Sequence, residues 1–353
     1  MRISQKIAGV IGAAVMSLTF AASPAFADPS STPASNDIVG VGSDTTQDVL
    51  NGLSSAYNAT NPADKLYSWD ATPQPSTITP KAGCASINRP GGSGAGITAL
   101  TNDTTGCLDF ARSSRPANAN ETNLKFVPFA TDAVTYASTA AGTTHVVDGL
   151  SVTDLKDIYT CAKTNWSQFG GTNNPIIPIL PNTNSGTRAF FLTQLGGGTA
   201  VTPGSCVING VRSGTSTMIR ENDARELTLA LGSGQNPDDA VIPFSVAKYI
   251  NYGKQSPIDP QRGTAVAHSV KDSSGAVVNP ITGTAPNESL NMSFSSTTLT
   301  RNVFNVLKLV NGAVPSKYAP VFSRSTGYIC STAGQNVVAD YGFGKLPLTQ
   351  CGY

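Results

Sequence analysis

Ile176-Ile177-Pro178-Ile179-Leu180, then Pro181-Asn182-Thr183-Asn184-Ser185-Gly186-Thr187-Arg188, then Ala189-Phe190-Phe191-Leu192 is the stretch that decides the fold. A short apolar run bounded by proline reads as a buried strand, and the polar turn after it leads into a helix carrying Phe190, Phe191 and Leu195. Two other segments share this design. Asp37–Val41 reads as a strand, Gly42-Ser43-Asp44-Thr45-Thr46 as its turn, and Val49, Leu50, Leu53 and Tyr57 fall on one face of the following helix. Gly91-Gly92-Ser93-Gly94-Ala95-Gly96 precedes a short helix at Ile97–Leu100. Further strands are expected at Cys107–Ala111 and Lys125–Ala137, and a helix over 151–159 capped by Ser151 or Thr153. Ala240–Ile250 and Thr298–Val310 are the remaining ordered apolar segments. Strands alternating with helices make this an α/β chain with parallel sheets.

The three turns share a chemistry. A helix N-terminus presents unpaired N–H groups and a partial positive charge, which suits an oxyanion. Glycine lets the backbone approach a ligand closely, and Ser and Thr hydroxyls donate without adding charge. Arg112, Arg115 and Arg188 lie in or beside these turns and are the candidates for a guanidinium clamp.

The 353 residues suit two domains. Net charge is +1, charged residues are 13% and hydrophobic residues 39%, which excludes a charge-driven disordered chain and a polyanion-binding surface. Residues 1–27 read as a signal peptide: Arg2 and Lys6, an apolar run over Ile7–Phe20, and Ala25-Phe26-Ala27 as the cleavage site. No cysteine follows that site, so no lipid anchor is expected, and residues 28–36 form a polar linker. Cys84, Cys107, Cys161, Cys206, Cys330 and Cys351 lack zinc-site spacing. In an exported chain they are expected as three disulfides. Of the 15 connectivities, the sequential one closes three local loops and is favoured.

In order along the chain, these motifs resemble the phosphate-binding component of bacterial phosphate ABC transporters, a family of the type II periplasmic-binding-protein superfamily. Gly42–Thr46, Gly92–Ile97, Asp109-Phe110-Ala111-Arg112-Ser113-Ser114, Leu150–Trp166, Asn184–Thr187 and Ala240–Tyr249 each match a family segment. The resemblance implies two α/β lobes joined by hinge strands and closing on a buried anion, with 36–131 plus 300–353 as lobe 1 and 132–299 as lobe 2. It implies ligand contacts from Asp44, Thr45, Ser93, Ser185, Gly186 and Thr187, and makes Ser114, Arg115 and Arg188 further candidates. It also departs from the family. The aspartate that accepts the proton of hydrogen phosphate falls at Ser114, and the arginine and aspartate opening the R-x-D-G-S-G-T motif fall at Pro181 and Thr183. Arg188, Arg112 or Arg115 is expected to restore the charge, and Asp44 to replace the proton acceptor.

The expectation is therefore an exported, monomeric solute-binding protein, secreted, periplasmic or wall-associated, that captures phosphate or a similar oxyanion and hands it to an ABC permease. No cofactor, metal or nucleic-acid partner is expected. Two rival classes are a secreted phosphatase using Ser93 or Ser185, and an extracellular binding or adhesion protein that has lost phosphate selectivity. The first would need a base, and only His145 and His268 exist, neither in a catalytic context. The second would use the polar segments 60–94 and 252–296 as a new surface.

Overall fold

A computed structural model describes residues 28–72, 76–255 and 261–353. The signal-peptide reading of residues 1–27 lies outside them. In chain order the main elements are β1 (Ile38–Gly42), α1 (Gln47–Asn58), β2 (Leu66–Ser68), α2 (Ser93–Asn102), β3 (Phe110–Ser113), β4 (Leu124–Ser138), α3 (Val152–Tyr159), β5 (Ile177–Leu180), α4 (Gly186–Leu195), β6 (Ile208–Asn209), β7 (Ala240–Ser245), α5 (Val246–Gln255), β8 (Thr300–Lys308) and α6 (Thr332–Asp340).

The main sheet runs β2-β1-β3-β8-β4-β7-β5-β6. Its ends are parallel: β1 lies between β2 and β3, and β5 lies between β7 and β6. Its middle is antiparallel, because β8 runs against β3 and β4, and β7 runs against β4. The parallel sheets expected from strand–helix alternation are thus joined by an antiparallel crossing. β4 is the long member of that crossing. Its first part pairs with β8 from Leu124 to Ala133, and its last part pairs with β7 from Val134 to Ala137.

Each end of the sheet has its own core, which makes the molecule two-lobed. On one side Leu50, Leu53, Phe110, Phe129 and Phe322 pack together. On the other, Tyr159, Trp166, Phe191 and Phe294 form a second cluster. The burial of these apolar side chains is the main stabilising term on each side. The cysteines pair Cys84–Cys107, Cys161–Cys206 and Cys330–Cys351, the last of these bridges lying within a core.

One strand is displaced from the expectation, and one of the two expected caps is the one used. The third strand is Phe110–Ser113, displaced from Cys107–Ala111, so Arg112 and Ser113 are strand residues. Arg112 is fully buried there because four acceptors surround its guanidinium: Ser43 O, Gly42 O, Ser68 Oγ and Trp69 O. The third helix is capped by Ser151, whose hydroxyl accepts from Asp154 N at 3.1 Å.

Candidate functional site

Three helices begin at the same place between the lobes. β1 ends in the Gly42-Ser43-Asp44-Thr45 turn, which enters α1; α2 starts at Ser93; α4 starts at Gly186 with Ser185 as its N-cap, its hydroxyl accepting from Arg188 N at 3.0 Å. The approach is close. A Cβ on Gly186 would lie 2.3 Å from both Ser93 Oγ and Ser114 Oγ, and one on Gly92 (φ +107°) would lie 2.6 Å from Asn184 O. Gly94 N donates to Asn184 O at 3.1 Å across the same contact.

The hydroxyls form a connected cluster. Ser43 Oγ donates to Ser114 Oγ at 3.2 Å, Ser93 Oγ lies 3.3 Å from Ser114 Oγ and accepts from Ser114 N at 3.0 Å. Thr45 Oγ1 lies 3.2 Å from Thr187 Oγ1, linking α1's turn to α4's first turn. Ser43, Thr45, Ser93, Ser114 and Thr187 are all fully buried.

The cation beside this cluster is Arg301 of β8. Its Nη2 donates to Thr187 Oγ1 at 3.0 Å and to Asp132 Oδ2 at 2.8 Å, and Nε also donates to Asp132 Oδ2. Arg301 is 5% exposed, and its buried Nη1 has no hydrogen-bond partner among the described residues. Asp132, on β4, is held in turn by Ser245 Oγ and Ala247 N. The two crossing strands therefore carry an ion pair to the cluster.

Two carboxyls complete the site. Glu221 Oε2 accepts from Ser185 Oγ at 2.5 Å and from Thr187 N at 3.2 Å, while its Oε1 is buried with no partner among the described residues. Burial and then nearby Asp44 push Glu221's pKa up, against the lowering effect of Ser185, Arg301 and Thr187 N. Asp44 Oδ2 accepts from Asn222 Nδ2 at 3.1 Å, and the same amide donates to Thr45 Oγ1 at 3.1 Å. Burial raises Asp44's pKa too, with Lys248 and Asn222 opposing it.

Of the residues singled out in the sequence, Asp44, Thr45, Ser93, Ser114, Ser185, Gly186 and Thr187 meet here. Arg188 and Arg115 do not. Arg188 Nη1 donates to Pro181 O at 2.9 Å and Asn209 Oδ1 at 2.5 Å, and Arg115 pairs with Glu121 at 2.6 Å. Arg112 holds the carbonyls of Gly42 and Ser43, and burial pulls its pKa down to about 10. The cation that stands beside the cluster is instead Arg301. Sequence reading also passed over Asp132, Glu221 and Asn222; no turn motif marks them. Among the described residues no group of His, Cys, Asp and Glu could hold a metal ion. His145 pairs with Asp239 and His268 with Ser138 and Asp148.

The family model of the PBP superfamily domain matches residues 27–335. The chain belongs to the PBP superfamily. Among solved structures, this PBP superfamily chain is similar to a phosphate ABC transporter substrate-binding protein from Clostridium perfringens with bound phosphate, at 20% identity and TM-score 0.58, covering 88% of this chain and 100% of that one. It is similar to an ABC-type phosphate transport receptor from Vibrio cholerae at 19% identity and TM-score 0.54, with the same coverage. A human phosphate-binding apolipoprotein follows at 16% identity and TM-score 0.50, covering 89% and 91%. No curated protein sequence matches the chain. The fold is thus the two-lobed type II periplasmic-binding-protein fold.

Proposed function

We propose that the protein is an exported solute-binding protein that encloses a phosphate-type oxyanion between its lobes and delivers it to an ABC permease. Lobe 1 is residues 36–131 plus 300–353 and lobe 2 is 132–299. The observation that carries the reading is Arg301: a buried guanidinium with an unpartnered Nη1, beside five buried hydroxyls and the N-terminus of α4. An unmade bond on a buried charged donor is costly, and an anion oxygen is the group that would satisfy it. Thr45, Ser93, Ser114, Ser185, Gly186 and Thr187 supply the remaining donors in this reading.

Glu221 shapes the selectivity. Its Oε2 sits on the Ser185 hydroxyl and the Thr187 amide, donors that an oxyanion would also use. An ionised carboxylate there repels a fully ionised anion, whereas it can accept a proton from hydrogen phosphate or, when protonated, donate to it. Asp44 stands beside it in the same role.

Calorimetry on refolded, ligand-free protein should show orthophosphate binding, and weaker sulfate binding. Arg301→Lys, which keeps a charge for Asp132 but loses the forked donors, should weaken phosphate at least tenfold. An absence of phosphate binding in the wild-type protein would reject the reading.

A further inference from the structure

The cleft holds more than the hydroxyl cluster. A cavity of about 340 Å³ adjoins it, walled on one side by Asp44 and Gly92 and on the other by Asn182, Thr217, Arg220 and Glu221. Neither Ser93, Ser114, Thr187 nor Arg301 lines it. It is a second compartment, which meets the first along Asp44, Glu221 and the turn before Ser93.

Its size falls in the range of small-molecule pockets, ~300–1,000 Å³. A tetrahedral ion of five heavy atoms seated in the hydroxyl cluster makes no use of it. Its walls have a polarity of their own. At the inner end stand the two buried carboxyls of Asp44 and Glu221, and behind that wall the sealed Glu221 Oε1 lacks a donor among the described residues. At the outer end Arg220 is about half exposed and only 3.8 Å from Asp223, which is already paired with Arg225 at 2.6 Å. Lys248, the cation near Asp44, is committed to Asp48 at 2.7 Å. The inner end therefore has room for hydrogen-bond donors that the described residues do not provide. A ligand bridging the two walls would also touch both lobes and favour their closure.

Resting on the oxyanion reading of the hydroxyl cluster, we infer that the site takes short-chain organic phosphates or phosphonates: the phosphoryl group lies in the cluster, and a substituent bearing hydroxyl or ammonium donors lies in the cavity against Asp44 and Glu221. A site that offers buried acceptors discriminates strongly against analogues lacking the matching donor, because the acceptors are then left unpaired.

Calorimetry with four probes tests this: orthophosphate, ethyl phosphate, glycerol 3-phosphate and phosphoethanolamine. At least one donor-bearing ester should bind tenfold or more tightly than ethyl phosphate. Thr217→Trp, at an exposed position on the cavity wall, should weaken that ester at least tenfold and leave orthophosphate within twofold. Ser216→Trp repeats the test from the neighbouring wall position. Orthophosphate binding without either donor-bearing ester, or esters no tighter than ethyl phosphate, overturns the inference and leaves the oxyanion reading standing. So does ester affinity untouched by both tryptophans. If none of the four probes binds, the oxyanion reading itself falls.

Discussion

Arg188 shows how a residue can be next to a site in sequence and outside it in space. It follows Thr187 directly, but successive positions on an α-helix are separated by about 100° around the axis. Thr187 faces the cluster, and Arg188 turns to Pro181 O and Asn209. Arg301 was illegible for the opposite reason: it reaches Thr187 across 114 positions, from a strand with no turn motif. The hydroxyls and glycines were legible because their chemistry is local, being N-caps and close turns; the charge was not, because it comes through tertiary pairing. Arg188→Ala should therefore leave orthophosphate affinity within twofold. It should lower the unfolding free energy in urea by about 1–3 kcal/mol, for two hydrogen bonds to a charged donor; a large loss of affinity would return Arg188 to the site. A second residue carries a pH signature. Burial lifts Asp70 from 3.8 to about 7, against Asn51 and Arg112, which lower it. The folded state then holds a proton that the unfolded state releases, so this stabilisation is complete below about pH 4 and is lost as pH rises through 7. At about 1.4 kcal/mol per pH unit, the full swing is on the order of 4 kcal/mol. Asp70→Asn should escape that loss and gain on the wild-type protein between pH 5 and 8; parallel pH profiles would contradict the assignment.

At the scale of elements, the strand–turn–helix units were readable and their edges were not. The third strand is displaced because Arg112 and Ser113 look like turn residues; four acceptors make the burial of Arg112 tolerable, and the Ser113 hydroxyl donates to Arg115 O. The shift has consequences for the site, since it ends the strand one residue before Ser114 and sets that hydroxyl beside Ser43 and Ser93. The antiparallel crossing of β4 and β8 has no local signature either, as the pairing joins strands far apart in the chain. The polar segments around it carry more order than their composition suggests: Val270–Lys271 pairs with Leu150–Ser151 on one side and Val277–Val278 on the other. Ser151 thus joins a small ladder and caps α3, whose Leu155, Ile158 and Tyr159 are fully buried. Its hydroxyl also donates to Asp154 Oδ2 at 2.7 Å, and that oxygen accepts from Ser151 N at 3.0 Å. Ser151→Ala removes the cap that satisfies the first helical turn and should cost about 1 kcal/mol in chemical denaturation. Ser151→Asp, which can cap the same amide, should recover part of it; equal losses in both variants would show that the ladder, not the cap, is what matters.

For the whole molecule, a net charge of +1 is consistent with anion capture because the charge needed is one enclosed guanidinium rather than a basic surface. Closure then depends on contacts between the lobes that surround the cluster. The strongest candidate outside the anion site is Lys248 of α5, which is 1% exposed and bonded to Asp48 of α1 at 2.7 Å, with Asn251 Nδ2 donating to the same Asp48 oxygen at 2.8 Å. Burial alone would lower the Lys248 pKa, but Asp48, then Tyr252 and Asp44, hold it well above its ordinary value. The ammonium is thus charged and dependent on a partner from α1, which the proposed lobe boundaries place in the other lobe. In Asp48→Ala the closed form would bury that charge unpaired, a cost of about 3–5 kcal/mol. Opening the cleft relieves it by admitting water, so the penalty falls on closure and spares the core of either lobe. Orthophosphate affinity should drop by roughly 100- to 4,000-fold, in step with that cost. Small-angle scattering of the ligand-free variant should show a larger radius of gyration than the wild-type protein. Adding Lys248→Met removes the stranded charge and should restore both compactness and most of the affinity. A variant pair with unchanged radius and unchanged binding would show that Asp48 and Lys248 do not govern closure, and would leave the hydroxyl contacts of Thr45 and Thr187 as what holds the lobes together.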